Sequence, residues 1–98
     1  MMNSFREFYP LYLSEHSNRT CRRLHFVGTS AALVCILEAI VSLNPWWLLG
    51  GLVGGYIFAW VGHFFFEKNR PATFTHPLYS FAGDWMMWRD MLTGKIQF

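Results

Sequence analysis

The chain has 98 residues, of which 53% are apolar, 19% aromatic and 14% charged, with a net charge of +2. That length makes one small domain with too little chain for a large water-soluble core, and the charged fraction falls well short of the about 25% of ordinary globular domains. So weak a positive balance, without a basic run or an aromatic-interleaved basic face, argues against nucleic acid as a partner.

Ser4-Phe5-Arg6-Glu7 has the spacing of a capping box, which predicts a helix over about 4–17. Phe5, Phe8, Tyr9 and Tyr12 give it an aromatic face, and Pro10 interrupts its hydrogen-bond ladder. The stretch from Glu15 to Arg23 is polar and carries His16, Asn18 and three arginines. From Leu24 to Leu43 the chain is apolar apart from His25, Glu38 and a few small hydroxyls, and about 20 such residues suffice to cross a bilayer core. Asn44-Pro45 signals a turn. Trp46 to Phe66 then forms a second apolar run with no charge apart from a possible one on His63. The expected fold is an all-α membrane protein, one domain over 1–98: a transmembrane helical hairpin with spans at about 24–43 and 46–67. An interfacial amphipathic helix is predicted over about 77–92, begun by Pro77 and capped by Gly94, with Asp84 and Asp90 solvated or Asp84 folded back over the site.

All eight basic residues lie away from the hairpin tip: Arg6, Arg19, Arg22 and Arg23 before it, Lys68, Arg70, Arg89 and Lys95 after it. The positive-inside rule therefore puts both termini in the cytoplasm, in a membrane of bacterial inner-membrane type, with Trp46 and Trp47 at the far interface. No cleavable signal peptide is visible. Cys21 and Cys35 have no zinc-type spacing and are not expected to pair.

The four histidines, His16, His25, His63 and His76, carry the functional reading. His25 lies about 19–20 residues before the turn and His63 about 18–19 after it, which puts them at one depth on the two spans. His25, Gly28, Ala32, Cys35, Ala39 and Ser42 form a small-residue stripe on the first span; Gly51, Gly55, Ala59, His63 and Glu67 form one on the second. Such stripes are where membrane helices approach closely, and the overlapping Gly50/Gly54 pair offers a homo-oligomer contact. With the stripes facing, His25, His63 and Glu67 converge at the cytoplasmic boundary, with His16 and His76 in segments on the same side. Any one of these histidines alone reads as a satisfied turn or interfacial residue. Together they read as a metal site, because imidazoles and a carboxylate suit iron, zinc, copper or nickel. Glu67 and Arg70 are the candidate catalytic residues: Glu67 as a ligand or its support, and Arg70, with Arg23 as the alternative, as a guanidinium able to pair with a carboxylate.

Gly62-His63-Phe64-Phe65-Phe66-Glu67-Lys68-Asn69-Arg70-Pro71-Ala72 resembles the G-H-x-x-F-E-K-x-x-P-A signature of the 2-hydroxy fatty acid dioxygenase family. Tyr12 to Asn18, followed by Arg23 to Gly28, is similar to the histidine motif at that family's N-terminus. The resemblance implies an iron(II)-dependent dioxygenase that shortens 2-hydroxy fatty acids by one carbon, with molecular oxygen and a lipid substrate as partners. His16, His25 and His63 would then be iron ligands or close to them. The chain is much shorter than the fungal pattern, with a single hairpin between the motifs, as in a compact bacterial-type branch. Two other readings stand beside it: a bis-histidine haem protein with His25 and His63 as axial ligands, and a non-enzymatic membrane adaptor built on the glycine stripes.

Overall fold

The computed structural model describes residues 4–98. Helix α1 (Phe5–Ser14) starts at the capping motif, where Ser4 Oγ accepts from the Glu7 N–H at 3.3 Å. Pro10 sits inside it; its missing N–H costs about 3 kcal/mol in an unsupported helix interior, a cost offset by the complete burial of Phe8 and Tyr12. The helix ends at Ser14, short of the predicted boundary, and the chain turns through Glu15–Asn18. Helix α2 (Arg19–Ser42) begins before the apolar run because Asn18 caps it, its Oδ1 accepting from the Cys21 N–H at 3.0 Å.

The turn between the long helices is closed by Leu43 in the left-handed region (φ 56°) and by Asn44 Oδ1, which accepts from the Trp46 N–H at 3.1 Å. Helix α3 (Trp46–Val61) widens into a π-helical turn, Gly62–Glu67. A 3₁₀ turn (Ala72–Phe74) leads to helix α4 (Pro77–Leu92). The described residues are all helical, and Arg19–Ser42 and Trp46–Glu67 are long and apolar enough to cross a membrane. Their outward faces carry much of the apolar surface: Val34, Ile40 and Val41 are 64%, 65% and 80% exposed, the reverse of a soluble core helix.

The two stripes of small residues meet each other along the hairpin. A Cβ on Gly28 would lie 2.9 Å from Phe58 Cβ and 3.1 Å from the Gly55 carbonyl oxygen, so only glycine allows this approach. Gly28→Leu is therefore expected to cost about 3 kcal/mol or more, read as a lowered melting temperature in detergent; Gly50→Leu, with open space where its Cβ would point, should leave it unchanged.

Below the hairpin a second core forms from Phe8, Tyr12, Ala72, Met87 and Met91, joining α1, α4 and the 3₁₀ turn. Here the expectation of a solvated Asp90 is corrected, and Asp84 takes the folded-back position rather than the solvated one. Asp90 is buried and accepts from Tyr9 O–H at 2.7 Å, and Asp84 turns inward to accept from Tyr12 O–H. The reason is the inner face of α4, where Gly83 lets the Tyr12 ring lie directly on the backbone: a Cβ there would stand 2.9 Å from Tyr12 Cδ2. The α1 tyrosines thus arrive as donors, and a buried hydroxyl needs an acceptor. Trp88, one turn beyond Asp84, donates Nε1–H to Ser30 Oγ at 2.9 Å and so ties α4 to α2.

Candidate metal centre

Three histidines from three parts of the chain meet between the hairpin and the lower core. His16 comes from the turn after α1, His25 from α2 and His63 from the π-helical turn. Their rings stand edge to face, with centroids 4.4 Å apart for His16–His25, 4.4 Å for His16–His63 and 4.9 Å for His25–His63. All three are buried, and each Nδ1 faces an oxygen acceptor. His16 Nδ1 lies 2.6 Å from the Tyr12 carbonyl, His25 Nδ1 2.9 Å from the Cys21 carbonyl and His63 Nδ1 2.6 Å from Asn69 Oδ1. Asn69 is itself oriented, because its Nδ2 donates to the Glu15 carbonyl at 3.0 Å, which leaves Oδ1 as the acceptor.

A carbonyl oxygen only accepts, so each Nδ1 carries the proton and each neutral ring keeps a bare Nε2 lone pair. Yet His16 Nε2 and His25 Nε2 are 3.1 Å apart. Two lone pairs held at that distance repel unless a cation lies against both. Two nitrogens bound at about 2.1 Å and at about a right angle on one ion are separated by about 3 Å. Metal-binding histidines also characteristically donate their second ring N–H to an oxygen, as all three do here. The donor set thus fits a divalent metal on its own geometry. Burial, and then the proximity of His25 and His63, push His16 well below its ordinary 6.5, so this ring is neutral at pH 7 and able to ligate.

Two further groups border the imidazoles. One ligand-capable atom from each of His16, Cys21, His25 and His63 lies within 4.8 Å of the others, which adds a buried thiol on the turn of α2 preceding His25. Gly62 makes room for it: a Cβ there would stand 3.0 Å from Cys21 Sγ. The carboxylate at the cluster is Asp84, whose Oδ1 is 4.0 Å from His25 Nε2. Burial pushes its carboxyl up to about 7, against the opposing pull of the Tyr12 O–H. Burial and the adjacent Asp84 push Tyr12 well above its ordinary 10, so the proton of that pair stays on the tyrosine.

The remaining sequence candidates fall elsewhere. Glu67 does not turn toward the imidazoles; its two oxygens accept from Ser17 Oγ at 2.7 Å and from the Asn18 N–H at 2.6 Å. Helical spacing put His63 and Glu67 on one face, but the π-helical winding of Gly62–Glu67 separates their directions. Glu67 instead clamps the start of α2 to the end of the second apolar helix, which holds the His16 turn against His63. Glu67→Gln removes a charge-assisted acceptor and is expected to destabilise the fold by about 1–3 kcal/mol. Thermal unfolding with and without added metal checks this, with metal stoichiometry retained in the folded variant. His76 also stands outside the cluster. It precedes α4, with Nδ1 3.0 Å from Thr75 Oγ1 and its ring against Phe8 and Tyr79, because Pro77 starts the helix and directs the preceding residue into that aromatic group. Arg70 is exposed, with its guanidinium 5.2 Å above the Phe74 ring. It sits in an open depression with Lys68 and Phe64, on the far side of the Lys68 reversal (φ 61°).

A cleft reaches the cluster from the side of the hairpin. His25, Thr29 and Asp84 line its inner end, and Tyr56, Phe81 and Trp85 are among its walls. The sequence reading passed over Cys21 and Tyr12 as parts of this site. Their signal was present in two i, i+4 pairs, Cys21–His25 and Tyr12–His16, where the first residue's carbonyl is the acceptor for the imidazole.

A family model described as 2-hydroxy-palmitic acid dioxygenase Mpo1-like matches residues 2–96. No curated protein and no solved structure matches the chain. The match spans nearly the whole chain, and the protein belongs to this family.

Proposed function

From that membership we propose that the chain is a membrane-embedded, iron(II)-dependent dioxygenase acting on 2-hydroxy fatty acids. The observation that carries the reading is the imidazole trio: three anchored Nδ1–H groups, three bare Nε2 atoms, and a 3.1 Å contact between two of them that calls for a cation. Three neutral histidines leave open positions on a six-coordinate ion. Ferrous iron, when bound, supplies the redox chemistry with molecular oxygen. The overall change converts a 2-hydroxy acid and O₂ into the acid one carbon shorter, CO₂ and water.

In this proposal the residues divide the work. His16, His25 and His63 hold the metal, with the Tyr12 and Cys21 carbonyls and Asn69 fixing their tautomers. Asp84 borders both His25 and the cleft, so a carboxylate oxygen is placed to take the proton of a 2-hydroxyl group, a transfer favoured near neutral pH by its raised pKa. Tyr12 donates to Oδ1, the oxygen that faces His25, and so orients that carboxylate. The aromatic and apolar cleft walls exclude water. The two apolar helices form a hairpin in the membrane, with the basic residues and both ends of the chain on its cytoplasmic side.

The haem alternative asks for two imidazoles on opposite faces of a macrocycle. His25 and His63 instead stand with ring centroids 4.9 Å apart, leaving no room for a porphyrin between them. The test of the dioxygenase reading is oxygen uptake by the purified full chain in detergent, loaded with Fe(II) and given 2-hydroxypalmitate. Uptake with a product one carbon shorter is expected, and zinc-loaded protein should be inactive. An iron-loaded chain that neither consumes oxygen nor alters the acid defeats the proposal.

A further inference from the structure

The cleft that ends at His25 and Asp84 does not stop beside them. Its outer part passes Ala32, Leu52, Phe81 and Trp85, and the same four residues line a second hollow that continues to Ile36 and Leu48. The two make one furrow along the seam of α2 and α3, with α4 as its third wall. On α2 its lining steps through residues 25, 29, 32 and 36, one helical face. From His25 to Ile36 the helical rise gives a length of about 16 Å.

The chemistry changes along that length. The inner end holds an imidazole, a hydroxyl and a carboxylate; beyond Tyr56 the lining is apolar. The floor lies deep because Ala32 and Gly55 are small, so the residues that let the helices approach also leave the furrow between them. Leu52, on the rim, is 46% exposed, on a helix apolar enough to lie in a bilayer. A furrow polar at one end and apolar at the other, opening sideways where lipid would be, matches an amphiphile with a compact polar head and a single straight chain.

We propose that this furrow is the acyl-chain channel: the substrate enters laterally from the bilayer, its head reaches the imidazoles, and Ile36 and Leu48 at the far end determine the preferred chain length. The proposal rests on the dioxygenase reading for the identity of the head group, while the placement of the chain stands on the furrow itself.

Leu52→Trp fills the furrow midway without touching any of the three histidines. The ratio of kcat/KM for 2-hydroxypalmitate to that for 2-hydroxyhexanoate is expected to fall on the order of tenfold or more, since each methylene kept from apolar contact forfeits about fourfold. Val53→Trp, one residue on, 49% exposed and outside the furrow, should leave the ratio unchanged. A second measurement does not need turnover. A 2-hydroxy fatty acid carrying a diazirine at its tail is photolysed with the full chain in lipid nanodiscs, and the adducts are mapped by mass spectrometry. Labels at Ile36 and Leu48 that disappear in Leu52→Trp support the channel. If they appear in a chain that turns over no 2-hydroxy acid, the channel stands and the dioxygenase reading falls. Label spread over Val34, Ile40 and Val41 overturns the channel even in an active enzyme, as does a Leu52→Trp variant that slows long and short acids equally.

Discussion

Replacing His63 by alanine is expected to lower metal affinity by more than about 100-fold and to bring oxygen uptake to background, because it removes one of three ligands where loss of a supporting partner alone costs about 10–100-fold. The variant should still fold. His63 Nδ1 makes one side-chain hydrogen bond, to Asn69, and Asn69 keeps its Nδ2 bond to Glu15 and its N–H bond to the carbonyl of residue 63. The close His16 Nε2–His25 Nε2 contact is the same in both metal-free proteins, since neither residue is changed. The metal-free wild type and the metal-free variant should therefore melt at similar temperatures, and only the wild type should gain stability on adding Fe(II), as a ligand that binds the native state must provide. Elemental analysis of protein purified without chelator gives the stoichiometry, with about one metal per chain expected and its loss in His63→Ala. His76→Ala is the matched control: that ring packs on Phe8 and Tyr79 away from the cluster, so its metal content should equal wild type. Retention of full metal by His63→Ala would remove the centre as described.

Asp84→Asn is expected to separate binding from chemistry. The asparagine Oδ1 can still accept from Tyr12, so the contact between α1 and α4 survives, but the carboxylate beside His25 is gone. Oxygen uptake should fall about 100-fold, the lower range of what a positioned general base contributes, while metal content stays near wild type. If Asp84 instead entered the coordination sphere on loading, metal would be lost along with activity, and the two outcomes are told apart by measuring iron and turnover on one sample. Asp90→Asn provides the comparison, since it makes the same change in the other tyrosine–aspartate pair of α4, Tyr9–Asp90, at a carboxylate that does not line the cleft.

Much of the centre was legible in one dimension. The turn at Asn44-Pro45, with near-equal counts to His25 and His63, placed two imidazoles at one depth, and the glycine stripes gave the faces that meet. These deductions hold because a straight helix has a fixed rise and a fixed angular step. Where the chain leaves the regular helix they lapse. Glu67 follows His63 at helical spacing, but the intervening turn is π-helical, and its carboxylate caps α2 instead. His76 shares a side of the molecule with the trio, but side alone does not direct a ring on a turn before a proline. Asp84 reads as one face of an amphipathic surface helix, and nothing local indicates that Tyr12 will meet it from 72 residues away.

The sequence by itself determined that this is an all-helical chain with two helices long and apolar enough to cross a membrane, a close hairpin seam and histidines grouped near one end of it. Those properties follow from hydrophobic run length, residue size and helical period, all carried by neighbouring positions. Only the tertiary structure decided which carboxylate borders the imidazoles, which nitrogen of each ring is left bare, and that a furrow leads to them from the side of the hairpin. Each depends on contacts between segments distant in the chain: α4 folding across the seam to bring Asp84, Phe81 and Trp85, and the Glu67 clamp setting the His16 turn beside His63. Long-range packing of that kind is fixed by the shape and hydrogen-bonding capacity of whole faces, which no local pattern encodes.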